Sequence, residues 1–147
     1  MGKTKGFTLI ELTVVIAIMA ILALLTVPNF IIVRQKGRDV QRKNDLKQLQ
    51  KALELYKGDS QALDLNLQYP SNASYDSGQL ILRGYIASMP HDPLSSPDYC
   101  YNRSSALEYT LCACLENPND SSTAPNCYTA SCPYTCTSNK YYKLTQP

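Results

Sequence analysis

From Phe7 to Val33 the chain runs 27 residues with one charge, the carboxylate of Glu11, and only Met1-Gly-Lys-Thr-Lys-Gly6 precedes it. About 20 apolar residues make a helix long enough to cross a bilayer. The run therefore predicts a helix whose first half spans a membrane. An ionised side chain inside such a segment is expensive and normally has a charged partner. Glu11 calls for a cation nearby, and the simplest source is a free amine made by cutting the chain after Gly6. The competing explanation, a carboxylate favoured by the positive end of the helix dipole, is a weak effect.

The cysteines give the other end of the chain its character. Cys100, Cys112, Cys114, Cys127, Cys132 and Cys136 all fall in the last third. An even number in a small domain behind a membrane segment predicts disulfides formed outside the cytoplasm. Lys3 and Lys5 stay inside by the positive-inside rule, so the C-terminal part is the exported one. Zinc is the weaker reading, because the spacings lack paired Cys-x2-Cys knuckles. The formal charge of +2 falls to about zero once Lys3 and Lys5 are cut away, and no general attraction to nucleic acid follows.

An ordinary secretory signal does not fit Phe7–Val33, since its apolar core is only about 7–15 residues and ends in a small-residue cleavage site. A plain anchor fits the length but leaves Glu11 unexplained. The stretch Lys5-Gly6-Phe7-Thr8-Leu9-Ile10-Glu11, continuing through Leu12 to Ala23 and on to Pro28 and Phe30, resembles the processing site of type IV pilins and pseudopilins. The resemblance implies that a prepilin peptidase cuts between Gly6 and Phe7, and that Phe7 is then N-methylated. It further implies that Glu11 neutralises the N-terminal amine of a neighbouring subunit in a helical filament. Met19-Ala20 stands where many pilins carry glycine, and alanine still permits close helix approach.

Pro28 lacks an amide hydrogen and crowds the preceding turn, which predicts a kink or local unwinding; Gly37 is a second weak point. From 34 to 58 the helix turns amphipathic. Leu46, Leu49, Leu53 and Tyr56, with Ala52 beside them, form a stripe seeking a sheet. The remaining faces carry Arg34, Lys36, Arg38, Arg42, Lys43, Lys47, Lys51 and Lys57 against Asp39, Asp45 and Glu54. Without interleaved aromatics for base stacking, these basic residues read as a solvated or inter-subunit face. Gly58-Asp59 is a plausible stop.

Residues 59–147 read as a globular head. Tyr69-Pro70 and Asp76-Ser-Gly78 are turn signals in a connecting loop, and Leu80–Ile86 forms a short helix ended by Pro90. Tyr99–Asn102, Leu107–Glu116 and Lys140–Leu144 are the strands. In the second, Tyr109, Leu111, Ala113 and Leu115 alternate with Glu108, Thr110, Cys112 and Cys114. The first set faces the helix, so Cys112 and Cys114 share the opposite face and do not bond each other. A Cys100–Cys112 bridge across the hairpin is preferred. Cys114 then pairs with one of Cys127, Cys132 and Cys136; the other two bond each other. Fifteen connectivities are open to six cysteines.

No phosphate loop, dinucleotide fingerprint or metal-ligand cluster is present. The single histidine, His91, has no spare thiol to partner. Asp92 and Asp98 offer too few oxygens for calcium, although the similar region binds it in some pseudopilins. Asn72, Asn102 and Asn119 head glycosylation triplets, a short pattern that chance often supplies.

The expectation is an α+β protein that is not an enzyme and needs no cofactor or metal. Residues 1–6 are the leader, 7–33 the filament-core helix, 34–58 its amphipathic continuation and 59–147 the head. Its resemblance implies a type IV pilin, stored in the inner membrane and polymerised into an extracellular filament. The alternative is a pseudopilin of a type II secretion or DNA-uptake machine. The partners are the peptidase, the assembly machinery, the membrane and further copies of the chain.

Overall fold

The leucine stripe of the amphipathic helix meets the sheet as its spacing requires. A computed structural model describes residues 6–62, 68–72, 76, 78–94, 98–122, 124, 127, 136 and 138–146, the side chains of 25–29, 60–62 and 79 excepted. Helix α1 spans Leu9–Ala62 and a short α2 spans Gln79–Leu82. Strands β1 (Cys100–Ser105), β2 (Glu108–Cys114) and β3 (Tyr141–Thr145) make one antiparallel sheet in the order β1-β2-β3. The fold is α+β, and the molecule divides into two compact units, Met1–Gln35 and Lys36–Pro147.

In the first unit every described side chain but that of Gln35 is exposed. Leu9, Ile10, Ile16 and Met19 each keep more than half of their surface in contact with the surroundings. A helix that is apolar all round is one that lipid or other helices must cover. Among the described residues no helix is long and apolar enough to cross a membrane; the described apolar side chains at the start of α1 run from Leu9 to Leu24 and resume at Phe30–Val33. The expected unwinding at Pro28 is absent, since the helix is continuous through Pro28 and Gly37.

In the second unit Leu46, Leu49, Ala52 and Leu53 are buried against Tyr101, Tyr109, Leu111 and Ala113 of the sheet. Removing any one of those leucine side chains costs about 2–5 kcal/mol by general experience of core truncation. The other face of the sheet carries a separate cluster of Cys100, Cys112, Cys127, Cys136 and Tyr141, with Cys114 packed beside it. The alternation along β2 thus divides tyrosine and leucine from sulfur, as period two demands.

Two boundaries differ from expectation. Helix α1 passes through Gly58 and Asp59 to Ala62, and Asp59 accepts a hydrogen bond from the Tyr85 hydroxyl at 2.8 Å. Helix α2 ends long before Pro90. Gly84, at φ +75°, donates to the carbonyl of Ile81 at 2.9 Å, and Tyr85 donates to that of Leu80 at 3.0 Å. Those two bonds around a left-handed glycine are the Schellman stop. Tyr69-Pro70 lies in irregular chain, as its reading as a turn signal in the connecting loop has it, and is also core. Tyr69 is 1% exposed, meets the Tyr109 ring edge-on at 4.5 Å and gives its hydroxyl to Glu54 at 2.7 Å. The carbonyl of Pro70 accepts from the Tyr101 hydroxyl at 2.7 Å.

Candidate functional site

At the start of α1, Thr8 and Glu11 hold each other. The Thr8 amide and hydroxyl donate to Glu11 Oε2 at 2.9 and 2.7 Å, and the Glu11 amide donates to Thr8 Oγ1 at 3.3 Å. This is a reciprocal capping box, with threonine just outside the helix and glutamate three residues on. The Thr-x-x-Glu spacing was the available signal for it in the sequence. Glu11 therefore has local donors before any other subunit arrives. Phe7, Ile10, Glu11, Val14 and Val15 line an open groove whose walls are almost wholly apolar, and Phe7 is 77% exposed.

Gly6 stands free ahead of that box. A Cβ added there would meet nothing within 4 Å, so the fold itself does not require glycine at this position. Pro28 lies within α1, and its side chain is outside the described residues, as is all of Cys132.

In the second unit, Arg42 anchors three carboxylates. Its Nε and Nη2 donate to Asp92 Oδ2 and Oδ1 at 2.6 and 2.9 Å. Its Nη1 donates to Asp39 at 2.8 Å and to Glu116 at 2.7 Å. Arg38 reinforces Glu116 through Nε and Nη2 at 2.7 and 2.5 Å. Asp39 uses its oxygens a second time, accepting the amides of Glu116 and Asn117 at 2.9 and 2.8 Å. Lys43 reaches Asp120 at 2.6 Å. One stretch of α1 thereby pins the loop bearing Asp92 and the chain leaving β2.

Burial pulls the Arg42 guanidinium down, but the bonds to Asp92, Glu116 and Asp39 more than offset it and hold the charge firmly in place. Glu116 is lowered from its ordinary value, first by the Arg38 hydrogen bonds. Asp120 is lowered to about 2, chiefly by the Lys43 ammonium. Of the basic run read as a solvated or inter-subunit face, Arg42 is therefore turned inward, whereas Arg38 and Lys43 stay partly exposed while paired within the head. The helix register turns Arg42 inward at 2% exposure beside Asp39 at 1%, while Lys36, Lys47 and Lys51 remain outside. Sequence reading missed this hub because its acidic members sit 50 and 74 residues away.

Asp92 and Asp98, considered for calcium, both have protein partners. Asp92 is taken by Arg42. Asp98 accepts the amides of Asp92 and Tyr99 at 3.1 and 2.9 Å and lies 2.7 Å from His91 Nδ1.

The disulfides correct one expectation. Cys112 bonds Cys127 and Cys114 bonds Cys136, with Cα separations of 6.0 and 5.4 Å. Cys100 does stand directly opposite Cys112 in the β1–β2 register, yet the preferred Cys100–Cys112 bridge is absent. Cys127 and Cys136 lie in the buried cluster on the sulfur face of the sheet. There the Cys112 sulfur is taken by Cys127. Cys100 is itself disulfide-bonded, to another partner.

Residues 1–27 match the prokaryotic N-terminal methylation motif. The chain is 37% identical over 106 residues to type II secretion system core protein G of Aeromonas hydrophila, covering 65% of this chain and 71% of that protein. It is 35% identical over 111 residues to the protein of the same name from Vibrio cholerae, covering 69% and 72%. The Klebsiella pneumoniae counterpart is 36% identical over 110 residues, covering 67% and 74%. No solved structure matches the chain.

Proposed function

This chain belongs to the type IV pilin and pseudopilin family, and we propose that within it the chain is a pseudopilin, the repeating subunit of a short fibre in a type II secretion machine. The observation that carries this reading is the extent of the similarity to core protein G. The methylation motif covers only 27 residues, whereas the similarity runs over 106 and so must reach well into the head. It favours the alternative drawn from the sequence over an extracellular type IV pilus.

The subunit is non-catalytic and works by assembly. It is held in the inner membrane by its apolar helix, with its head exported. Prepilin peptidase removes Met1–Gly6 at a glycine that the fold leaves accessible, which frees the amine of Phe7 for methylation. The exposed apolar surface of α1 then passes from lipid to neighbouring helices. In that water-poor bundle, a carboxylate left without a partner is heavily penalised. Charge pairing between Glu11 and a neighbouring amine thus selects one register of stacking. The head stays rigid during transfer because Arg42 and the disulfides tie its loops to α1 and β2.

The test is deletion of the reading frame in its host and complementation with the wild type or with Gly6→Leu. We expect deletion to strand secreted enzymes in the periplasm, with surface pili unaffected. Gly6→Leu is expected to leave a precursor retaining Met1–Gly6, visible by intact-mass measurement, and not to restore secretion. Loss of surface filaments with secretion intact would return the assignment to a pilus.

A further inference from the structure

We propose that this chain is a substrate for a thiol–disulfide isomerase, because its fold places a cysteine of β2 opposite a cysteine that is not its native partner. Strands β1 and β2 are joined by Ala106-Leu107 alone, and Cys100 and Cys112 are paired positions in their register. Directly opposed residues in an antiparallel pair have Cα atoms about 4.5–5.5 Å apart. That lies inside the window of about 4.4–6.8 Å in which a disulfide forms.

Timing favours this pair. A hairpin forms in about 1–10 μs, whereas disulfides form over seconds or longer. The hairpin therefore exists when the first sulfurs are oxidised. Cys127 and Cys136 lie 15 and 22 residues beyond their native partners, so each meets its partner only after a longer loop has closed. Oxidation by a disulfide reagent gives Cys100–Cys112 first, with two thiols oxidised and the reagent's disulfide reduced to two thiols. In the native chain Cys112 is bonded to Cys127 and Cys100 elsewhere, so that first bond has to be undone.

The exchange needs no further oxidant. An isomerase thiolate attacks Cys112 Sγ, the bond to Cys100 breaks, and Cys100 leaves as a thiolate that takes a proton. The Cys127 thiolate then attacks Cys112 in the mixed disulfide, which forms the native bond and returns the enzyme thiol. The catalyst must act before the head closes, because Cys112, Cys127 and Cys136 end at 6, 6 and 4% exposure. The chemistry is contained within one chain and does not depend on which fibre that chain enters.

The test is refolding of the full chain in detergent from its reduced, denatured form, with oxidised glutathione alone or with a periplasmic Cys-x-x-Cys isomerase added. Samples are acid-quenched, cleaved after Glu108 and Glu116 (among other acidic sites), and the linked peptides sequenced by fragmentation. We expect a Cys100–Cys112 link to lead and then decline, and the isomerase to speed the appearance of Cys112–Cys127 severalfold. Cys127→Ser should retain the Cys100–Cys112 link, and Cys100→Ser should reach Cys112–Cys127 without the enzyme. Native links arising at one rate with and without isomerase would overturn the proposal, as would the absence of a Cys100–Cys112 link in Cys127→Ser.

Discussion

Arg42 grips Asp92 through two parallel hydrogen bonds of 2.6 and 2.9 Å, joining the middle of α1 to a loop fifty residues later. Both side chains are about 3% exposed. The pair matches a planar guanidinium to a planar carboxylate, the geometry in which arginine cannot be replaced by lysine without loss. Arg42 also serves Asp39 and Glu116, and among the described residues it is the one cation in an ion pair with the buried Asp39 and Asp92.

Arg42→Ala should therefore destabilise the head by about 3–5 kcal/mol, the usual cost of leaving a buried partner charge uncompensated. Arg42→Lys should recover only part of that. Urea unfolding of the oxidised chain in detergent, followed by tyrosine fluorescence, gives the comparison. A midpoint within error of wild type for Arg42→Ala would mean that water reaches Asp39 and Asp92 freely.

Acid should loosen the same region. Glu116 and Asp120 titrate below their ordinary values of 4.5 and 3.8 in the folded chain, Asp120 at about 2. For a carboxylate lowered by folding, the stabilisation is complete above the unfolded value and is lost as the pH falls through the folded one. Stability should thus decline from about pH 4.5 toward pH 2. Lys43→Met removes the main cause of the Asp120 shift and should flatten part of that decline. An acid limb of unchanged slope in Lys43→Met would dissociate the Lys43–Asp120 contact from it.

What could be read in the sequence was whatever is periodic or local. The Leu46, Leu49 and Leu53 stripe, the alternation along β2, the opposition of Cys100 and Cys112, and the processing stretch around Gly6 all depend on short spacing. The Arg42 hub depends on distant chain segments meeting, and a helical run of basic residues looks alike whether one member turns inward or none does. Tyr69-Pro70 was legible as connecting chain but not as core, since a proline in a polar stretch marks a bend and does not tell which side of it is buried. Disulfide connectivity joins β2 to cysteines 15 and 22 residues further on, a distant meeting that no spacing rule encodes.

Gly84 offers a test of the backbone alone. At φ +75° an added Cβ would meet nothing within 4 Å, so substitution has no packing cost. Gly84→Ala should lose about 1–2 kcal/mol, the penalty of holding an L-residue in the left-handed region. Gly84→Asn should lose less, because asparagine tolerates that conformation. Equal losses for both variants in the same unfolding assay would point to a packing effect that the structure does not contain.

The sharpest prediction separates the capping that Glu11 performs from the assembly role proposed for it. As the third residue of a capping box it needs only an oxygen facing Thr8, which glutamine also supplies. As the counter-charge to a neighbouring amine it needs to be ionised, which glutamine cannot be. Glu11→Gln should therefore keep an intact helix start, insert normally and be processed at Gly6, yet fail to build fibres or support secretion. Glu11→Val should fail in assembly and also lose the cap, seen as faster amide exchange over the first turn of α1. Wild-type secretion from Glu11→Gln would leave this carboxylate with no role beyond closing the end of a helix.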